Sequence, residues 1–236
     1  MKSKLILNFA ITLALSKSLL AGIGGPHGSI ASGDSSATDN GQICIYCHTP
    51  HAANDTGPVP IWNKPSSTQT YLMYGATAPG MAGQTIAGTL TDATPTDQTL
   101  ACLSCHDGVS AIDSVVNAPG SGRSDINGIS IGGYGAIATI PNAEYKSVGV
   151  ANSLSGGSGD LRNDHPVSLV YAPGKAGLKP LNTTLVGWKG ANQISDLLRN
   201  GKVQCTSCHD VHNNTNLMYR RINNDNSELC IGCHVK

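Results

Sequence analysis

Apolar residues in this chain seldom hold a helical or strand period for more than a few positions. The longest apolar run is the first, L-I-L-N-F-A-I-T-L-A-L over residues 5–15, with Lys2 and Lys4 ahead of it and small residues behind. That order is the pattern of a secretory signal. Residues 1–21 are the expected leader, cut after Ala21 or, with small residues at both preceding positions, after Ser18. Asn8 and Lys17 interrupt the run and leave it short of the length that spans a bilayer. Further on, the clearest amphipathic segment is Ala191 to Asn200, where Ile194, Leu197 and Leu198 share one face and Gly201 offers a stop. Shorter helices are expected after Thr96-Asp97-Gln98, after Asn226-Ser227-Glu228, and around Ser67 to Tyr74. Residues 128–132 and 165–171 read as extended. The rest is loop, including an insert around 110–164 rich in Gly, Ser and Ala. Residues 22–236 are expected to form one unit, because neither side of the insert has enough apolar material for a core of its own.

Composition sharpens that point. The chain has 236 residues with 28 glycines and 12 prolines, but one Phe, two Trp and seven Tyr. So few large apolar side chains scarcely offset the ordering entropy of the backbone unless some other body supplies apolar surface. Formal charge is zero, with 15 basic and 15 acidic residues. No basic stripe for nucleic acid or polybasic patch for a membrane follows from it.

The chemistry lies in a repeat. Cys44-Ile-Tyr-Cys47-His48, Cys102-Leu-Ser-Cys105-His106, Cys205-Thr-Ser-Cys208-His209 and Cys230-Ile-Gly-Cys233-His234 use all eight cysteines. Two thiols three apart can add to the two vinyl groups of one haem, and the histidine after them can reach its iron. Paired Cys-x-x-Cys also builds zinc sites, but zinc does not require a histidine after every second cysteine. With histidine at roughly 3% of the chain, four such placements by chance have odds on the order of one in a million. A disulfide framework leaves the histidines unexplained too, and a thioredoxin-like site needs a βαβ setting that is absent. The expected fold is therefore that of a multihaem cytochrome c: mostly coil, a few short α-helices and little β, organised around four covalently bound haem c groups that serve as core and staple.

Eight histidines stand against four irons with two axial faces each. His48, His106, His209 and His234 are the proximal ligands, which leaves His27, His51, His165 and His212 for the opposite faces. Met73, Met81 and Met218 are then read as packing. Bis-histidine iron has no open position for a substrate, so the expected role is electron transfer and not catalysis. Histidine in place of methionine also lowers the expected potentials. With Pro50 between them, His51 cannot readily reach the far side of the haem that His48 binds, and His212 stands in the same relation to His209. Each is expected to serve a different haem from its neighbour's. The last motif ends two residues before the terminus, so either earlier chain or a neighbouring subunit should cover it.

The segment C-I-Y-C-H-T-P-H at 44–51, P-I-W-N at 60–63 and G-G-P-H-G at 24–28 together resemble extracellular tetrahaem cytochromes that polymerise into conductive filaments, the OmcE-type nanowires. The resemblance implies an exported, extracellular or cell-surface protein that forms a head-to-tail homopolymer. It makes His51 the candidate ligand donated to the neighbouring subunit and assigns His27 to the haem of Cys44 and Cys47. It further implies redox partner proteins or extracellular acceptors, with no nucleic acid and no membrane span in the mature chain. A monomeric periplasmic shuttle is the alternative, and a multihaem reductase is a further one.

Overall fold

The computed structural model describes residues 43–66, 69–107, 114–117, 129–130, 159–162 and 164–235. The leader at 1–21, His27 and most of the 110–164 insert lie outside these residues. Among the described residues regular structure is sparse. Helices α1 (Asp97–His106), α2 (Cys205–Cys208) and α3 (Glu228–Ile231) are joined by short 3-10 turns, the first at Ile43–Tyr46. Two-residue strands β1 (Ser114–Val115) and β2 (Ile129–Ser130) pair antiparallel, Val115 opposite Ile129. Strands β3 (Leu169–Val170) and β4 (Lys202–Val203) do the same, Leu169 opposite Val203. The helices after Thr96 and Ser227 and the extended character near 129–130 and 169–170 thus agree with the pattern.

Two expected helices do not form. In Ala191–Asn200 only Ile194–Leu197 turns, as a 3-10 segment. The backbone N–H groups that a helix leaves unpaired at its start are taken elsewhere: Ile194 donates to Thr183 O (3.2 Å) and Ser195 to Leu181 O (3.0 Å). Asp196 Oδ2 accepts from the N–H of Asn192 and of Gln193. Gly201 is not a helix stop either. Asn200 and Gly201 both have positive φ (51° and 72°), and Arg199 and Lys202 exchange both backbone hydrogen bonds across them. This is the two-residue hairpin turn that Asn-Gly favours, and it leads into β4. Residues 69–74, the described part of the other expected helix, form no helix. Leu72 donates to Gly159 O and accepts from Leu161 N–H, so its backbone is paired across the chain instead of along it.

Among the described residues the peptide core is divided into small clusters. The largest gathers Tyr171, Leu185, Trp188, Ala191, Ile194 and Leu197, with Val203, Leu229 and Cys233 against it. A second holds Tyr71, Met73, Ala76, Leu103 and Leu161, and the smallest only Tyr46 and Val115. Of the face read from the sequence, Ile194 and Leu197 are buried and Leu198 is half-buried against the same cluster, although the helix meant to carry them is only one turn.

Candidate haem attachment sites

Each Cys-x-x-Cys-His is wound as about one helical turn. His48, His209 and His234 donate their backbone N–H to the carbonyl of the first cysteine of their own motif, at 2.8, 3.1 and 3.0 Å. The second motif completes the last turn of α1. At about 100° per residue, positions i, i+3 and i+4 fall on one face, so both thiols and the imidazole project to the same side. That is the arrangement one porphyrin needs. None of the eight cysteines is in a disulfide. Among the described residues no group of three or more His, Cys, Asp or Glu is gathered as a metal ion requires.

The turns are held by residues outside the motifs. Asn63, fully buried, donates its N–H to Cys47 O (2.8 Å) and its Nδ2 to Ile45 O (2.6 Å), while its Oδ1 accepts from Asn117 N–H. At the third site, Arg221 N–H reaches Cys208 O (2.9 Å) and its guanidinium donates to Thr206 O and Lys189 O. At the fourth, Lys179 N–H and the Tyr171 hydroxyl both donate to Cys233 O. Gly232, inside that motif, lies so close to Trp188 that a Cβ would sit 2.3 Å from its ring. Earlier chain therefore folds back on the last motif, the first of the two ways in which it could be covered. Sequence reasoning missed these supports, apart from the Trp62-Asn63 pair contained in P-I-W-N.

Successive motifs abut. Trp62, whose ring meets His48 edge-on at 5.8 Å, donates its Nε1–H to Ser104 Oγ (3.3 Å) inside the second motif. Thr99 Oγ1, on α1, donates to Gln204 Oε1 (2.5 Å) and accepts from Cys205 N–H (3.1 Å), joining the second motif to the third. The cysteines show the same order. Burial pushes the Cys47 thiol up to about 12, with Cys105 the next cause, and the Cys208 thiol up to about 12, with Cys233 next. A hydrogen bond between Cys102 and Cys205 raises the former and lowers the latter.

The second set of histidines divides. His27 lies outside the described residues. His51 is exposed, its carbonyl tied by Thr49 Oγ1 and Asn117 Nδ2, both at 2.9 Å. The His212 ring stands 6.3 Å from that of His48, the two planes 17° apart. Among the described residues the histidine ring that stands near His48 is that of His212; the assignment of His27 to that haem falls outside them. The His165 ring stands 6.5 Å from that of His234. Burial first, then the facing imidazole, lowers the pKa of both His48 and His234, which favours the neutral ring that binds metal. Met73 is buried in packing, but Met81 and Met218 are 51% and 38% exposed, so the packing reading fails for those two.

These residues fit haem. A ligating histidine usually donates its second ring N–H to a carbonyl, which leaves Nε2 for iron. His209 Nδ1 lies 2.8 Å from Met218 O and His165 Nδ1 2.9 Å from Pro166 O. A carbonyl only accepts, so both rings carry the proton on Nδ1. Met218 and Tyr219 have φ of 59° and 56°, an uncommon conformation that accompanies the turn of the Met218 carbonyl toward His209.

Residues 198–236, which hold the third and fourth motifs, match the family model of the doubled CXXCH motif. Motif and structure together define the class, a multihaem c-type cytochrome that binds haem c covalently, with electron transfer as the function this implies. No curated protein matches the chain.

Proposed function

We propose that this chain carries electrons along four covalently attached haems, each iron held by two histidines, and that copies join head-to-tail into an extracellular filament. The observation that carries the reading is the contiguity of the attachment motifs: Trp62 donates to Ser104, Thr99 to Gln204, and Ser207 to the carbonyl of Leu197, which belongs to the cluster that Cys233 packs against, so each turn is tied to the next. When bound, haem supplies a one-electron iron couple. The protein supplies the spacing: two thioethers and an imidazole fix each site to a turn, and the turns are locked to one another by side chains. With a histidine for every axial position the irons exchange charge without binding substrate, so the chain is a relay and not an enzyme. The filament half of the reading rests on the resemblance of residues 44–51 and 60–63 and on His51, whose exposure leaves it accessible to another copy. The leader directs the chain out of the cytoplasm, and haem is attached outside it.

One observation favours the runner-up, a monomeric periplasmic shuttle. Lys179, Trp188 and Tyr171 meet the fourth motif, which supports cover from within the chain. Native material separates the two readings. Intact mass and haem absorbance should give four haems per chain, spectra of the assembly should show low-spin iron throughout with no shift on adding nitrite or carbon monoxide, and microscopy should show fibres. Four low-spin haems in an isolated monomer would establish the shuttle, and a five-coordinate iron in the intact assembly would establish the reductase.

A further inference from the structure

Two of the four axial pairings can be read from ring positions. A metal–imidazole bond of about 2.0–2.1 Å, plus about 1 Å from ring nitrogen to ring centre, sets two imidazoles on opposite faces of one iron roughly 6 Å apart. Among the described residues, two histidine pairs have that spacing: His48 with His212 at 6.3 Å, and His234 with His165 at 6.5 Å. Each joins a motif histidine to a histidine outside any Cys-x-x-Cys-His. We infer that His212 is the second axial ligand of the first haem and His165 that of the fourth, both within the same chain. This rests on the bis-histidine reading above and goes beyond it in saying which ring serves which iron.

Local structure supports both. His212 N–H donates to Asp210 Oδ1 (3.1 Å) and the Asp210 backbone N–H to Tyr219 O (2.8 Å), which anchors the chain just ahead of the ring while leaving the side chain 65% exposed. His165 Nδ1 is bonded to Pro166 O, so its other nitrogen is the one with a free lone pair. A consequence follows by elimination. His27 and His51 are the histidines that remain for the irons of His106 and His209. A His51 donated by a neighbouring copy therefore reaches the second or third haem, and not one of the terminal pair.

The test counts unfilled irons. In the full-length exported protein, His212→Ala should retain four haems and turn one low-spin iron high-spin, with added imidazole restoring it. The Cys44→Ala/Cys47→Ala protein, which lacks the first haem, identifies the partner. Adding His212→Ala to it should leave the three remaining irons as they were, because the ligand's iron is already gone. One more high-spin iron among those three overturns the pairing, as does a His212→Ala single variant whose four irons all stay low-spin. His165→Ala with Cys230→Ala/Cys233→Ala tests the other end in the same way. Should the cysteine variants fail to accumulate, a near-atomic image of the native protein decides it: His212 and His48 meeting at one iron supports the pairing, and meeting different irons overturns it. A wild-type product without haem would instead remove the function proposed above, an outcome distinct from four filled irons with other partners.

Discussion

The first and third attachment sites carry the same extended pattern, a histidine three residues beyond the proximal one, and the fold treats the two differently. His212 is set beside His48, with its backbone tied to Asp210 and the Met218–Arg221 segment paired along its motif. His51 is left exposed, with only its carbonyl tied, by Thr49 and Asn117. The supports differ as well. The first turn is held mainly by a buried amide, Asn63, and by the smallest apolar cluster, whereas the fourth turn packs on the largest. Identical covalent motifs thus fix what is bound at each site, while the chain between them decides where the spare imidazole goes.

The largest expected difference follows directly. His51→Ala should keep four haems and a folded monomer but abolish fibres, as checked by electron microscopy beside a haem count. His212→Ala should instead alter an iron within the isolated chain. Normal fibres from His51→Ala would remove that residue from assembly, and an iron emptied in the isolated chain by His51→Ala would make the two histidines alike.

How far this contrast could be read beforehand depends on the kind of signal. The eight cysteines and four proximal histidines follow from covalent spacing, which does not depend on tertiary context. The short helices after Thr96 and Ser227 are also local. Ala191–Asn200 misled because its apolar period is real, yet the pairing partners of its backbone lie outside it and upstream, at Leu181 and Thr183. Asn200-Gly201 was legible as a hairpin turn, and the helix reading took its glycine for a stop. The ring pairs had no sequence signal, since His48 and His212 are brought together only by contacts between distant segments.

Next in size are the supports. Asn63→Ala removes three side-chain hydrogen bonds at the first turn and leaves buried groups unmatched, a loss of about 3 kcal/mol. Gly232→Ala drives a Cβ into Trp188 at the fourth turn, for about 3 kcal/mol of overpacking. Thermal unfolding monitored at the haem bands measures both. If the two regions are held as differently as their contacts indicate, Trp188→Leu should offset much of the Gly232→Ala loss and leave the Asn63→Ala loss unchanged. Equal relief of both would mean that the ends are not independent.

Gln204 joins the halves, so its loss should affect both. Its Oε1 accepts from Thr99 and Ser168 hydroxyls, and its side chain is buried. Gln204→Ala should cost about 2 kcal/mol by leaving those hydroxyls without an acceptor. Hydrogen exchange should then rise in α1 and α2 together; protection lost in α2 alone would show that the second and third turns are not coupled through this residue.

The smallest effect is a pH dependence confined to the fourth turn. Burial, the main cause, and then Cys233 push the Tyr171 hydroxyl up to about 12, while a backbone hydrogen bond at Lys179 acts the other way. Once Cys233 is a thioether it carries no charge, and burial still raises the value. Unfolded tyrosine ionises near pH 10. Below that the hydroxyl is protonated in both states and its contribution is complete. As pH rises from about 10 toward 12 the unfolded chain ionises first, and the contribution is lost. Tyr171→Phe removes two hydrogen bonds made by one hydroxyl, to Lys179 O and Cys233 O, and should cost about 1 kcal/mol at neutral pH. The gap between the wild-type and Tyr171→Phe denaturation midpoints should therefore narrow over that window, whereas a constant gap would mean that the hydroxyl is not held protonated by the fold.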